Sequence, residues 1–69
     1  MTLTELRYIV ELADTRHVGR AAQRCNVSQP NLSVSVKKLE EALGVQLFTR
    51  TTRKVELTTV GRTFVHRAR

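Results

Sequence analysis

The sequence has few of the residues that mark secreted or membrane proteins. Its 69 residues contain one cysteine, Cys25, so no disulfide can form within the chain and a reducing, cytoplasmic setting is expected. No apolar run approaches the roughly 20 residues that a membrane-spanning helix needs, and we expect no signal peptide. A chain of this length has room for one small domain. These absences point to a single globular domain inside the cell.

The sequence also lacks the patterns on which catalysis and metal binding depend. It has no glycine-rich loop for phosphate, and no carboxylate pair or nucleophile with its base can be assigned. Its two histidines, His17 and His66, have no partners at the spacing of metal ligands. Cys25 is expected to be a small core residue rather than a redox group. We therefore expect no enzyme activity, no cofactor and no metal site.

Acidic residues are scarce relative to basic ones. Twelve Lys and Arg against six Asp and Glu give a formal net charge of +6. The segments 15–39 and 49–55 contain basic residues and no acidic one. Clustered positive charge is typical of a surface that binds nucleic acid, and an acidic membrane surface is the second choice. The basic residues of the two segments are Arg16, Arg20, Arg24, Lys37, Lys38, Arg50, Arg53 and Lys54.

Capping residues and apolar spacing predict the first two helices. Thr2 and Glu5 have the spacing of a capping box, so a first helix should start there and continue to about residue 14. A short second helix should follow from about residue 18 to residue 25, and Gly19 should weaken it by up to ~1 kcal/mol relative to Ala. Asn26 tolerates a left-handed backbone and should form the next turn. The stripe expected along the first helix is Leu6, Ile9, Val10 and Ala13.

A third helix should begin at Gln29 and present two different faces. Ser28 is a suitable N-cap, Pro30 is accepted in the first turn, and Gly44 is a suitable end. The core-facing stripe is predicted to be Leu32, Val36, Leu39 and Leu43. The opposite face is predicted to be Pro30, Val34, Lys37 and Glu41, with Asn31, Ser33 and Lys38 on its flanks.

After Gly44 the apolar period changes from four residues to two, which predicts a small hairpin with the basic segment 50–54 at its tip. Thr58 can cap a last helix that reaches Arg69 without a residue that would end it. We therefore expect the sequence to be the first domain of a longer chain, with its fourth helix cut short. The apolar residues of the hairpin and of this helix are Val45, Leu47, Val55, Leu57, Val60, Phe64 and Ala68.

Two short helices joined by a tight turn, the second with a polar and cationic outer face, are typical of a helix-turn-helix. Its second helix would enter the DNA major groove, where Val34 can contact a thymine methyl group. Polar side chains for base edges are Gln29, Asn31, Ser33 and Ser35. The hairpin would contact the backbone or the minor groove through Arg50, Arg53 and Lys54, which makes a winged version of the motif.

These residues resemble the N-terminal domain of LysR-type transcriptional regulators. The resemblance is carried by the run AAQRCNVSQP at 21–30 and by shorter matches that continue to Gly61, and it spans nearly the whole chain. Within that family, segments 6–10, 16–17, 24–25 and 36–39 are similar to the peroxide-sensing member.

The resemblance implies a fold, a partner and a division of the chain. Residues 1–58 would form a mainly α winged helix-turn-helix domain, with a three-helix core and a small β-hairpin wing. Residues 59–69 would start a dimerisation linker helix, giving a homodimer, or a tetramer in the full-length protein. The partner would be double-stranded operator DNA, with no membrane involved. The residues predicted to bind DNA, from their chemistry and from the resemblance together, are Arg20, Ser28, Gln29, Pro30, Asn31, Ser33, Val34, Ser35, Lys37, Lys38, Arg50, Arg53 and Lys54.

A rival class stays open at this point. The chain could be a basic protein- or membrane-interaction module, in which the last helix is an amphipathic partner surface and the positive charge serves acidic lipid or RNA.

Overall fold

The computed structural model describes residues 1–50 and 55–68, so Arg53 and Lys54 lie outside the described residues. The helices are α1 (Leu3–Thr15), α2 (Val18–Cys25), α3 (Gln29–Leu43) and α4 (Thr59–Ala68). Strands β1 (Phe48–Arg50) and β2 (Val55–Leu57) pair antiparallel, with Phe48 opposite Leu57 and Arg50 opposite Val55. The predicted order of three helices, a hairpin and a last helix is confirmed.

Helix α1 begins with the predicted capping box. The amide of Glu5 donates to the Thr2 hydroxyl oxygen at 3.1 Å, and the Thr2 amide donates to the Glu5 carboxylate at 3.0 Å. Hydrogen bonding with Thr2, chiefly from its backbone amide, holds the pKa of Glu5 below its ordinary value. The helix ends at Arg16, whose φ of 55° is left-handed and whose amide donates to the Leu12 carbonyl. The cap is thus formed by local side chains, which is why the sequence predicts it.

The turn between α2 and α3 is built as predicted. Asn26 is left-handed, with φ of 58°, and its amide donates to the last carbonyls of α2. The Ser28 hydroxyl oxygen then accepts from the Asn31 amide at 3.2 Å and starts α3. Gly44, with φ of 71°, ends α3. Each boundary is set by a residue whose own chemistry favours that backbone conformation.

The core lies where all three N-terminal helices meet the hairpin and α4. Ala21 and Ala22 are both buried, and their small side chains let α2 lie close to its neighbours. No helix in the described ranges is long and apolar enough to cross a membrane. The buried apolar residues are Ile9, Leu12, Ala21, Ala22, Leu32, Val36, Leu39, Leu47, Phe48, Val55 and Val65.

The predicted apolar stripes of α1 and α3 are partly wrong. In α1 the fully buried residues are Ile9 and Leu12, whereas Leu6 and Val10 are only half-buried. The buried stripe is therefore rotated from the predicted one toward Leu12. In α3, Leu43 lies in the last turn and is 42% exposed. Spacing identifies a stripe, but the neighbouring elements decide how far it is covered.

The hairpin buries Leu47 and Val55 as predicted, but the hairpin and α4 also depart from the predicted stripes. Val45 is 39% exposed and precedes the strand, while Phe48 is 2% exposed. In α4, Val60 is 50% exposed, and the residues that face the core are Gly61 and Val65. Helix α4 approaches the hairpin through its glycine. Of the predicted stripe, Phe64 is half-buried and packs against the core, whereas Val60 is exposed.

Candidate nucleic-acid interface

The outer face of α3 is exposed as predicted. Pro30, Lys37 and Glu41 are exposed, and Val34 is 51% exposed although it is apolar. Asn31 and Lys38 are exposed as well, whereas Ser33 and Ser35 are half-buried. Because four residues make about one helical turn, Gln29, Ser33 and Lys37 form a row along one edge of this face. We call these three residues the polar row.

The polar row lies between α2 and the hairpin. At its amino end, Gln29 lines a shallow hollow together with Arg20 and Gln23 of α2. At its other end, Lys37 lines a second hollow together with Gln46 and Arg50. Two predicted cations, Arg20 and Arg50, therefore flank a row that offers amide, hydroxyl and ammonium groups. From the predicted set, the structure brings Arg20 beside Gln29 at one end of the row and Arg50 beside Lys37 at the other.

Three predicted residues lie on the other edge of the α3 face. Steps of 100° per residue separate Asn31, Ser35 and Lys38 from the polar row by more than a quarter of the helix circumference. Pro30 and Val34 lie between the two edges, near the centre of the outer face. A DNA groove that accommodates the whole outer face would contact both edges. The predicted residues of α3 therefore form two lines along the helix.

The first turns of α2 and α3 are each capped by a side chain. His17 Nδ1 accepts from the Arg20 amide at 3.2 Å, as Ser28 does from the Asn31 amide. His17 is thus the N-cap of α2. The Ser28 oxygen is engaged in this cap, so the group that Ser28 still offers to a ligand is its hydroxyl hydrogen. The amino-terminal backbone amides of both helices suit anions.

Arg24 and Glu40 form side-chain or backbone contacts that stabilise the fold. Arg24 pairs with Glu11 at 3.4 Å, and its carbonyl accepts from Arg7 at 2.9 Å, so this arginine serves the contact between α1 and α2. Glu40 Oε2 accepts from the backbone amides of Leu47 and Phe48, at 2.6 and 3.1 Å. Glu40 thereby fastens the hairpin to α3. The sequence gives no signal for this role, because the two amides come near Glu40 only through folding.

Comparison with known proteins assigns the chain. The sequence model of the family described as bacterial regulatory helix-turn-helix protein, lysR family, matches residues 3–62. The chain belongs to the LysR family. It is 51% identical over 69 residues to the hydrogen peroxide-inducible genes activator of Pectobacterium carotovorum subsp. carotovorum. That match covers 100% of this chain and 23% of the relative, so the chain spans less than a quarter of the relative's length.

Solved structures of LysR-type proteins have the same fold. Full-length OxyR of Pseudomonas aeruginosa, as a variant, superposes with a TM-score of 0.93 and 63% identity, covering 99% of this chain and 23% of that one. The complex of the BenM DBD with benA site 1 DNA gives a TM-score of 0.93 and 38% identity, covering 99% and 76%. The predicted winged helix-turn-helix class and the resemblance to LysR-type regulators, and among them to OxyR, are confirmed.

The LysR-family chain has a cysteine outside its polar row. Cys25 is half-buried at the end of α2, so the expectation of a core residue is only partly met. Burial raises the pKa of its thiol, which keeps the thiol protonated near neutral pH. Among residues 1–50 and 55–68, no three His, Cys, Asp or Glu side chains come together as a metal site.

Proposed function

We propose that this chain binds double-stranded operator DNA with sequence specificity, as the N-terminal domain of an OxyR-like LysR-type regulator. The observation that carries the proposal is the polar row, whose exposed ends Gln29 and Lys37 lie beside Arg20 and Arg50. Gln and Ser side chains pair with base edges in the major groove, and the cations beside them suit the phosphates on either side. The BenM DBD, which has this fold, is found in a complex with DNA and supports the proposal.

In the proposed docking, α3 enters the major groove with its amino end leading. Pro30 and Val34 at the centre of the outer face would contact the groove floor, and the exposed Val34 side chain suits a thymine methyl group. Asn31, Ser35 and Lys38 would face the second strand. The hairpin would contact the backbone or the neighbouring minor groove through Arg50, and by prediction through Arg53 and Lys54, which lie outside the described residues.

We also propose that residues 1–58 are the DNA-binding unit and that residues 59–69 start a linker helix that pairs two copies. The support is an apolar hollow on α4 lined by Val60 and Phe64, with Thr59, Thr63 and Arg67 around it. In the full-length protein the regulator would form dimers or tetramers, act in the cytoplasm on hydrogen peroxide signals and catalyse no reaction. The relative named as the hydrogen peroxide-inducible genes activator supports this extension.

A competition experiment tests the proposed function. Duplexes selected from a random pool should bind at least about 10³-fold more tightly than a scrambled duplex. Single-stranded RNA and anionic vesicles should compete no better than the scrambled duplex. The logarithm of the binding constant should fall by about 0.9 per phosphate contact for each tenfold rise in salt. Affinity that does not change with salt, or equal affinity for vesicles and the selected duplex, would contradict the proposal.

Replacing a basic residue that would lie beside the DNA groove should weaken binding to every duplex, whatever its sequence. Lys37→Ala and Arg53→Ala should each lower affinity roughly tenfold and reduce the salt slope by about one. Glu5→Ala, on α1, should have little effect on affinity. If affinity depended on net charge alone, Glu5→Ala would strengthen binding by the same factor by which Lys37→Ala weakens it. Fluorescence anisotropy titrations of the variants distinguish these outcomes.

A further inference from the structure

Gly19 lies where two side chains converge on the first turn of α2. A Cβ atom at this position would lie 3.0 Å from His17 Cε1 and 3.1 Å from Gln29 Nε2. It would also lie 3.3 Å from His17 Nδ1. The side-chain amide of Gln29, at the start of α3, therefore reaches back over α2 into space that any other residue at position 19 would partly fill.

The backbone of α2 does not require a glycine at this position. Among the glycines of the described residues, only Gly44 has a positive φ. A glycine within a helix destabilises it relative to alanine. The feature that a glycine supplies at position 19 is therefore the absence of a side chain beneath Gln29.

Of the two neighbours, His17 is the one held in place. Its Nδ1 accepts from the Arg20 amide at 3.2 Å, and its own amide donates to the Thr15 hydroxyl oxygen at 3.3 Å. Gln29 has three rotatable side-chain bonds and an exposed residue surface. A methyl group at position 19 would therefore move the more mobile Gln29 amide by a few tenths of an ångström, while its tighter contact with the imidazole would strain the His17 cap.

We propose that Gly19 is a specificity-determining position that acts through Gln29. By leaving space over the start of α2, Gly19 sets the direction in which the Gln29 amide enters the major groove and so the base edge that it meets. A bidentate amide–base pair depends on that direction, because both of its hydrogen bonds must align at once. The proposal rests on the proposed function, since Gln29 is taken to contact bases.

Selection from a random duplex pool tests the proposal with four proteins: the unmodified chain, Gly19→Ala, Gln29→Ala and the double variant. Gly19→Ala should change the melting temperature by no more than a few degrees, because the gain in helix propensity opposes the crowding of His17 and Gln29. It should also change the preference at the base pair that Gln29 reads by about tenfold or more. In the Gln29→Ala background, Gly19→Ala should change no base preference by more than about twofold. Gln23→Ala, which alters the same hollow, is the control and should leave the preferences as they are.

The outcomes separate the two levels of inference. If the unmodified chain selects no sequence, the proposed function and this proposal both fail. If it selects a sequence that Gly19→Ala selects equally, or if the effect of Gly19→Ala persists without Gln29, only this proposal fails. NMR of the free protein gives a check without DNA: the side-chain amide signals of Gln29 should shift in Gly19→Ala, and unchanged signals would overturn the proposal.

Discussion

Replacing Gly61 by alanine should cost the domain about 4 kcal/mol of unfolding free energy and leave much of it unfolded. A Cβ atom at this position would overlap the carbonyl oxygen of Leu47. It would also lie 2.9 Å from the carbonyl carbon of that residue and 3.1 Å from Leu57 Cδ2. The Leu47 carbonyl accepts from the Thr58 amide at 3.0 Å, so it is backbone that is already engaged.

The domain can relieve this overlap only by moving α4 away from the hairpin. That movement exposes Val65, which is 4% exposed, and its burial is worth about 1.5–3 kcal/mol. It also strains the hydrogen bonds of Thr58 to Leu47, each worth about 1 kcal/mol. A domain of this size has few stabilising contacts in total. The loss of those around Val65 and Thr58 therefore removes much of its stability.

Urea unfolding followed by circular dichroism measures this loss, and Gly44→Ala is the matched control. Gly44 has φ of 71°, and a Cβ atom there would meet nothing within 4 Å. The control therefore carries only the strain of a left-handed alanine, about 1–2 kcal/mol, and should stay folded. Equal losses for the two variants would show that α4 does not approach the hairpin through Gly61.

The sequence predicts the parts of the fold that depend on local chemistry. Asn26, Ser28 and Gly44 set the ends of α2 and α3 through their own backbone preferences and side-chain hydrogen bonds, so the predicted boundaries are correct. Gly61 shows the reverse case. A glycine adds nothing to an apolar stripe, so spacing misses Gly61, which lies against the Leu47 carbonyl. Of the two residues that spacing assigned to the buried side of α4, Phe64 packs against the core and Val60 is exposed.

The candidate site likewise has features that the sequence predicts and features that depend on tertiary packing. Helical spacing identifies the outer face of α3, because that face is defined by the residues opposite the core. Spacing does not tell which edge of the face lies beside α2 and the hairpin, since this depends on how three elements pack. The pairing of Arg24 with Glu11 and the contact of Gln29 with position 19 are likewise tertiary, and only the structure reveals them.

Replacing Glu40 by alanine should lower the unfolding free energy by about 2–5 kcal/mol and loosen the hairpin from α3. Its carboxylate accepts from the amides of Leu47 and Phe48, and both residues are buried, at 0% and 2% exposed. Without the carboxylate, two buried amides have lost their acceptor, at about 1–3 kcal/mol each. Glu40→Gln keeps one carbonyl oxygen in place and should lose about half as much, because the bonds are no longer assisted by charge.

Glu41→Ala is the control that separates this role from charge. Glu41 is exposed on the next position of α3, and its removal raises the net charge by the same amount. If a loosened hairpin misplaces Arg50, Glu40→Ala should bind operator DNA more weakly although it is more cationic, whereas Glu41→Ala should bind as well or better. Urea unfolding measures the loss of stability. Hydrogen exchange at the Leu47 and Phe48 amides shows whether the hairpin has loosened from α3. Equal stability of the two alanine variants would mean that the hairpin is held without Glu40.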